Sequence, residues 1–135
     1  MSIGLIIIVI VLVVVVLVLV NLTTKPSSKG IDKEHFLNEW KDIINLSNEA
    51  KSRPLSVVHA DKLLDEALKC QGYKGESMAE RLVAAKKYVK HRDEIWSAHK
   101  LRNRIVHEPA FEPNSKEVKR ALNAYHKTLK DLGVW

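Results

Sequence analysis

Hydrophobic positions along the chain follow two regimes that meet near residue 21. From Ile3 to Val20 run 18 consecutive residues, all Ile, Leu or Val except Gly4. As an α-helix that run rises about 27 Å, close to the roughly 30 Å hydrocarbon thickness of a bilayer. A core strand, usually about 4–8 residues, is far shorter. The run therefore predicts a membrane-spanning helix, which Leu22 can extend. A cleaved signal peptide wants basic residues ahead of its apolar core and small residues at its exit. Nothing basic precedes Ile3, and Asn21-Leu22-Thr23-Thr24-Lys25 offers no such exit. Residues 1–22 thus form an uncleaved anchor, and residues 23–30 (TTKPSSKG) a short flexible linker.

From residue 31 on, only helical periodicity is found. Asp32 can cap a first helix reaching about Lys51, with Phe36, Leu37, Trp40, Ile43 and Ile44 on one face. Ser52-Arg53-Pro54 breaks the pattern and starts a second, striped by Leu55, Val58, Leu64, Ala67 and Leu68 and stopped by Gly72. Ser77-Met78-Ala79-Glu80 reads as a capping box opening a third, with Leu82, Ala85 and Val89 inward. A fourth holds Ile95, Trp96, Ile105 and Val106 and ends before Pro109. Asn114 or Ser115 opens a fifth, carrying Val118, Leu122, Tyr125 and Leu129 and closing at Gly133. The expected fold is all-α: an N-terminal transmembrane helix, then a four- to five-helix antiparallel bundle over residues 31–135.

Charge refines this picture. The net charge of +6 is concentrated between Arg81 and His107, where eight basic residues face only Asp93 and Glu94. Such a stretch suits nucleic-acid phosphates or anionic lipid headgroups, although many charge runs are simply solvated helix faces. Lys25, Lys29 and Lys33 follow the apolar run, so the positive-inside bias places the C-terminal domain in the cytoplasm. The lone Cys70 agrees with a reducing compartment.

One constellation carries chemistry. Residues four apart stack on one side of a helix, so His99, Asn103 and His107 line a polar ridge with Arg102 beside it. Ile105 and Val106 then point toward the core. Such a ridge is costly to bury without partners, so it is expected to face water or an interface. The fitting chemistry is phosphodiester cleavage in RNA. An imidazole can move the 2′-hydroxyl or leaving-group proton, a guanidinium can grip the phosphate, and Asn103 can orient either. No metal ion or other cofactor is required. His99, Lys100 and Arg104 are candidate RNA contacts. A zinc site through His99 and His107 is weak, because neither Cys nor carboxylate stands at ligand spacing between them.

Arg102-Asn103, three further residues and then His107 match the motif of HEPN domains, which this chain resembles. In that family the motif is an Arg, a polar residue, three more and a His near the end of a helix. Leu63-Leu64-Asp65-Glu66-Ala67-Leu68, the Gly72-Tyr73-Lys74-Gly75 turn, Met78-Ala79-Glu80-Arg81-Leu82 and Trp96-Ser97-Ala98-His99 also resemble small bacterial HEPN-like proteins, some membrane-tethered. The resemblance covers roughly residues 32–132. It implies a metal-independent endoribonuclease in which two protomers bring Arg and His to a shared cleft. Arg102 would then contact phosphate, His107 would act as acid or base, and Asn103 would support them. It equally allows a non-catalytic homodimeric adaptor that binds a protein partner, with Arg102 paired to Glu108 and His107 stabilised by the helix dipole.

Overall fold

The computed structural model describes residues 3–23 and 30–135, and every regular element among them is helical. The first, α1 (Ile3–Thr23), leaves each residue from Ile3 to Val20 exposed. It is long and apolar enough to cross a membrane. Val and Ile are mediocre helix formers, but in hydrocarbon a lone segment can satisfy its backbone groups only as a helix. The expected linker over 23–30, with Lys25 and Lys29, lies almost wholly outside the described residues.

The remaining helices are α2 (Lys33–Asn48), α3 (Arg53–Cys70), α4 (Met78–Ala84), α5 (Arg92–His107) and α6 (Ser115–Asp131). Their ends follow capping chemistry. Asp32 accepts from the His35 N–H at 3.1 Å and opens α2. Asn114 and Glu117 form a reciprocal capping box that opens α6. At α4 the expected box is only half made. Ser77 Oγ accepts from the Glu80 N–H at 3.2 Å, but the Glu80 carboxylate takes the N–H of Glu76 instead of Ser77. Gly72 and Gly133 adopt φ of +80° and +74°, the left-handed conformation that glycine enters without steric cost. Each closes its helix with paired bonds, Tyr73 N–H to Leu68 and Gly72 N–H to Lys69, then Val134 N–H to Leu129 and Gly133 N–H to Lys130.

Cross-helix contacts fix the topology and define two ends. His35 on α2 meets Glu66 on α3 at 2.8 Å, and Gln71 after α3 donates to the Leu132 carbonyl after α6. The Lys90 N–H donates to Asp131 at 2.9 Å, and Lys127 bridges to Glu94 at 3.0 Å. The start of α2, the end of α3, the α4–α5 connection and the end of α6 therefore share one end of the bundle. At the other end, Ser52 Oγ donates to the Leu46 carbonyl and Arg53 Nε to that of Ser47. Neighbours α2 and α3 run antiparallel, as do α5 and α6.

The core centres on Phe36, Ile43, Leu64, Leu68, Ile95, Tyr125 and Leu129. Several expected core positions are not in it. Leu37, Ile44, Leu55 and Val106 are exposed, because the buried stripe on each helix is narrower than the apolar pattern suggests. On α3 the inward residues include Val57, Ala60 and Leu63, so Leu55 falls outside and Val58 is only half-buried. The third helix also ends sooner than its pattern implies. Ala85 caps α4, and Val89 reaches the core from the connection that follows.

Arg81, the first cation of the basic stretch, is not at the surface but buried. Its Nε pairs with Asp65 at 2.7 Å, and its guanidinium also donates to the Gly75 carbonyl. A Cβ on Gly75 would lie 2.8 Å from that of Glu80, so only glycine lets the turn close here. Burial pushes the Asp65 carboxyl up, but hydrogen bonds from Arg81 and Lys69, with their charges, outweigh it and hold it below the usual range. A depressed carboxylate contributes stability that is present above its unfolded pKa, about 3.9, and lost as pH falls through the lower folded value. Acid unfolding should therefore steepen below about pH 4. Asp65→Asn should remove that component, as measured by helical circular dichroism across an acid titration.

Candidate functional site

The inward face of α5 carries Ile95 and Ala98, which seat the helix on the core and set the azimuth of everything else on it. That seating turns His99 and Arg102 toward α3. The residue they meet is Asp61, an acid placed among Val57, Ala60 and Leu64 on the buried face of α3. Its side chain is only 6 % exposed. Asp61 Oδ1 accepts from Tyr125 Oη at 2.8 Å and lies 2.7 Å from His99 Nδ1. Its Oδ2 is 3.5 Å from Arg102 Nε.

Two further bonds close a ring of side chains. Arg102 Nη1 donates to Asn103 Oδ1 at 3.0 Å, and Asn103 Nδ2 is 3.4 Å from His99 Nε2. The network sets the tautomer. A carboxylate can only accept, so His99 carries its proton on Nδ1, leaving Nε2 as acceptor for the Asn103 amide. Asn103 then holds its oxygen toward Arg102, as the ring requires. The least satisfied member is Arg102 Nε, which is buried without a well-aligned acceptor. Burial, and then the Asp61 charge, push the Tyr125 hydroxyl well above its ordinary range, so it remains a donor.

The structure thus brings His99, Arg102 and Asn103 together and leaves His107 apart. His99 is mostly covered, with a side chain 15 % exposed, while Arg102 retains 30 %. The expected ridge is therefore split. Its first half packs inward against an acid that offsets the cost of burial, and its second half, His107 in the last turn of α5, is exposed. Five residues separate Arg102 from His107, so the two leave the helix about 140° apart. They do not converge on one point within a single chain.

Lys100 and Arg104 are both exposed. Lys100 lines a groove of about 440 Å³ between α5 and α6, together with Asp93, Glu94, Arg104, Glu117 and Arg120. Arg104 is less free. Its Nε lies 3.3 Å from a Glu108 oxygen, and its guanidinium stacks 3.7 Å from the Phe111 ring centroid. Arg104, not Arg102, is therefore the partner of Glu108, as spacing of four residues on a helix favours. Among the described residues no group of three His, Cys, Asp or Glu side chains is placed to hold a metal ion.

The helical pattern does not single out Asp61, and it places Tyr125 in the core, where it is, without its hydroxyl partner. The signal for Asp61 was present, since it sits at core spacing between Val57 and Leu64. An acid at such a position calls for a buried partner. Comparison with protein-family models, curated proteins and solved structures finds no match for this chain.

Proposed function

We propose that this chain is a membrane-tethered, HEPN-like helical domain that binds RNA through the outer face of α5. In this reading it cleaves RNA without a metal when two copies face each other. The observation that carries it is the Asp61-centred network. Burying a carboxylate, a guanidinium and an imidazole together costs more than apolar packing of the same volume, so stability alone does not account for it. A network that fixes one guanidinium and one amide, with the exposed His107 imidazole one turn further along the same helix, supplies groups that phosphate chemistry needs once a second copy brings them together. The divergence of Arg102 and His107 fits a cleft completed by a second protomer.

A second reading is a non-catalytic adaptor that dimerises and binds a protein. The engagement of Arg102 and His99 by Asp61 within one chain favours it, because a charge already compensated grips phosphate less strongly. RNA binding separates the two. Lys100 is an exposed cation of α5 without a carboxylate fixed on it among the described residues, so Lys100→Gln in the full chain should weaken single-stranded RNA binding. The slope of log affinity against log salt should become shallower by about 0.7, the share of one phosphate on a single strand. An unchanged slope and affinity would favour the adaptor.

The domain is placed in the cytoplasm in this proposal, because Lys29 and Lys33 follow the apolar helix. A reporter fused after Trp135 should then be inaccessible from outside intact cells, and the chain should stay in membranes through a carbonate wash. Labelling of that reporter by an impermeant reagent would reverse the orientation and remove access to RNA.

A further inference from the structure

The basic stretch of the sequence is not one surface. Helix α5 rises about 22 Å from Arg92 to His107, so cations before its start lie far from the motif at its end. Lys86, Lys87 and Lys90 sit in the α4–α5 connection, all exposed. With them stand two large apolar residues that the bundle leaves uncovered, Val83 at 53 % and Tyr88 at 57 % exposure. Beneath lies a shallow groove of about 210 Å³ whose lining includes Leu82, Val89 and Trp96 on the apolar side and Lys86 and Arg92 on the basic side. Apolar residues rimmed by cations form the pattern of a surface that rests at the headgroup level of an anionic bilayer.

Position supports the same occupant. This connection shares its end of the bundle with the start of α2, tied through Lys90 N–H to Asp131, Gln71 to the Leu132 carbonyl and His35 to Glu66. The chain enters α2 from α1, and the eight Cα–Cα steps from Thr23 to Ile31 reach at most about 29 Å when fully extended. The neighbouring acids do not cancel the patch. The Lys90 N–H is a neutral donor and leaves Asp131 charged, whereas Lys127 offsets Glu94 at 3.0 Å. Asp131 and the exposed Asp93 then stand against four exposed cations, Lys86, Lys87, Lys90 and Arg92.

We infer that the α4–α5 connection, through Val83, Lys86, Lys87, Tyr88 and Lys90, docks the bundle onto the anionic surface of the bilayer that α1 spans. Docking by this end turns the Arg102–His107 end of α5 away from the lipid. The inference rests on α1 as a membrane span and is independent of RNA binding. A short tether keeps the patch at high effective concentration near the headgroups, so modest attraction suffices. Each cation near an anionic surface shifts the docked population roughly five-fold.

The test is amide hydrogen exchange on the full chain in lipid nanodiscs, either neutral phosphatidylcholine or containing one-third phosphatidylglycerol. Residues 83–92 should exchange at least five-fold more slowly in the anionic discs. That protection should vanish in high salt and in Lys86→Gln/Lys87→Gln/Lys90→Gln, whose exposed side chains do not hold the fold. Residues 99–107 should exchange alike in both lipids. Equal exchange of 83–92 in the two lipids overturns the inference. So does protection of 83–92 by added RNA in neutral discs, which would make the patch a nucleic-acid surface. Failure of the chain to enter discs at all removes the anchor and the docking with it.

Discussion

Asp61→Ala should destabilise the bundle by about 3 kcal/mol, the cost of leaving a buried charge without its counter-ion. The carboxylate serves Tyr125, His99 and Arg102 at once, and none of the three has another partner for the same atom. Tyr125 is fully buried, so its hydroxyl would face the core unpaired. For a domain of this size the loss corresponds to a fall in Tm of roughly 12 °C or more. Thermal unfolding of the full chain in nanodiscs, followed by circular dichroism, measures it. Asp61→Asn should cost less, since its amide oxygen can still accept from Tyr125 while Arg102 loses its counter-charge. Arg102→Met in the Asp61→Ala background should then restore part of the loss, because the two residues share the network. A drop of only 1–2 °C in the single variant would mean that water enters freely and that the ring is decoration.

The fold was legible in the sequence where local chemistry decides it. Asp32, Asn114, Gly72 and Gly133 each bound a helix end, so the caps, turns and helix count were readable without tertiary knowledge. The apolar run Ile3–Val20 was readable as a helix long and apolar enough to cross a membrane, a property that length and composition alone give. Core membership was less so. Leu37, Ile44 and Val106 look as apolar as Phe36 and Ile43, and only the placement of neighbouring helices separates them. The site was half legible. Helical spacing correctly set His99 beside Asn103, but spacing within α5 carries no information about Asp61 or Tyr125. Asp61 lies 38 residues before His99 and 64 residues before Tyr125. Arg81 and Arg104 show the same limit. Each reads as a surface cation, and each is claimed by a partner, Asp65 for one and Glu108 with Phe111 for the other.

If the proposed nuclease reading holds, His107→Ala lowers RNA cleavage by about two orders of magnitude or more, the usual contribution of one acid–base group. The assay uses the full chain in detergent or nanodiscs with single-stranded RNA and EDTA. The attacking group in this proposal is the neighbouring 2′-hydroxyl. Its oxygen bonds to phosphorus as the 5′-oxygen leaves, so products should end in 2′,3′-cyclic phosphate. His107 is the clean probe of the motif because it is exposed in the last turn of α5, and its removal should leave Tm unchanged. Arg102→Ala is a mixed probe. It removes the proposed phosphate ligand and also the counter-charge of Asp61, whose side chain is only 6 % exposed, so it should lower the rate and cost about 3 kcal/mol of stability, as Asp61→Ala does. The divergence of the two side chains by about 140° gives a sharper test. If each cleft takes Arg102 from one protomer and His107 from the other, neither variant is active alone, yet mixed dimers hold one intact cleft in two. Equal co-expression should then recover about a quarter of the parental rate, since half the dimers are mixed. Recovery near that level would assign catalysis to a two-chain site. A parent that binds RNA without cutting it, or variants that lose activity only by unfolding, would leave α5 as a binding surface and the Asp61 ring as its support.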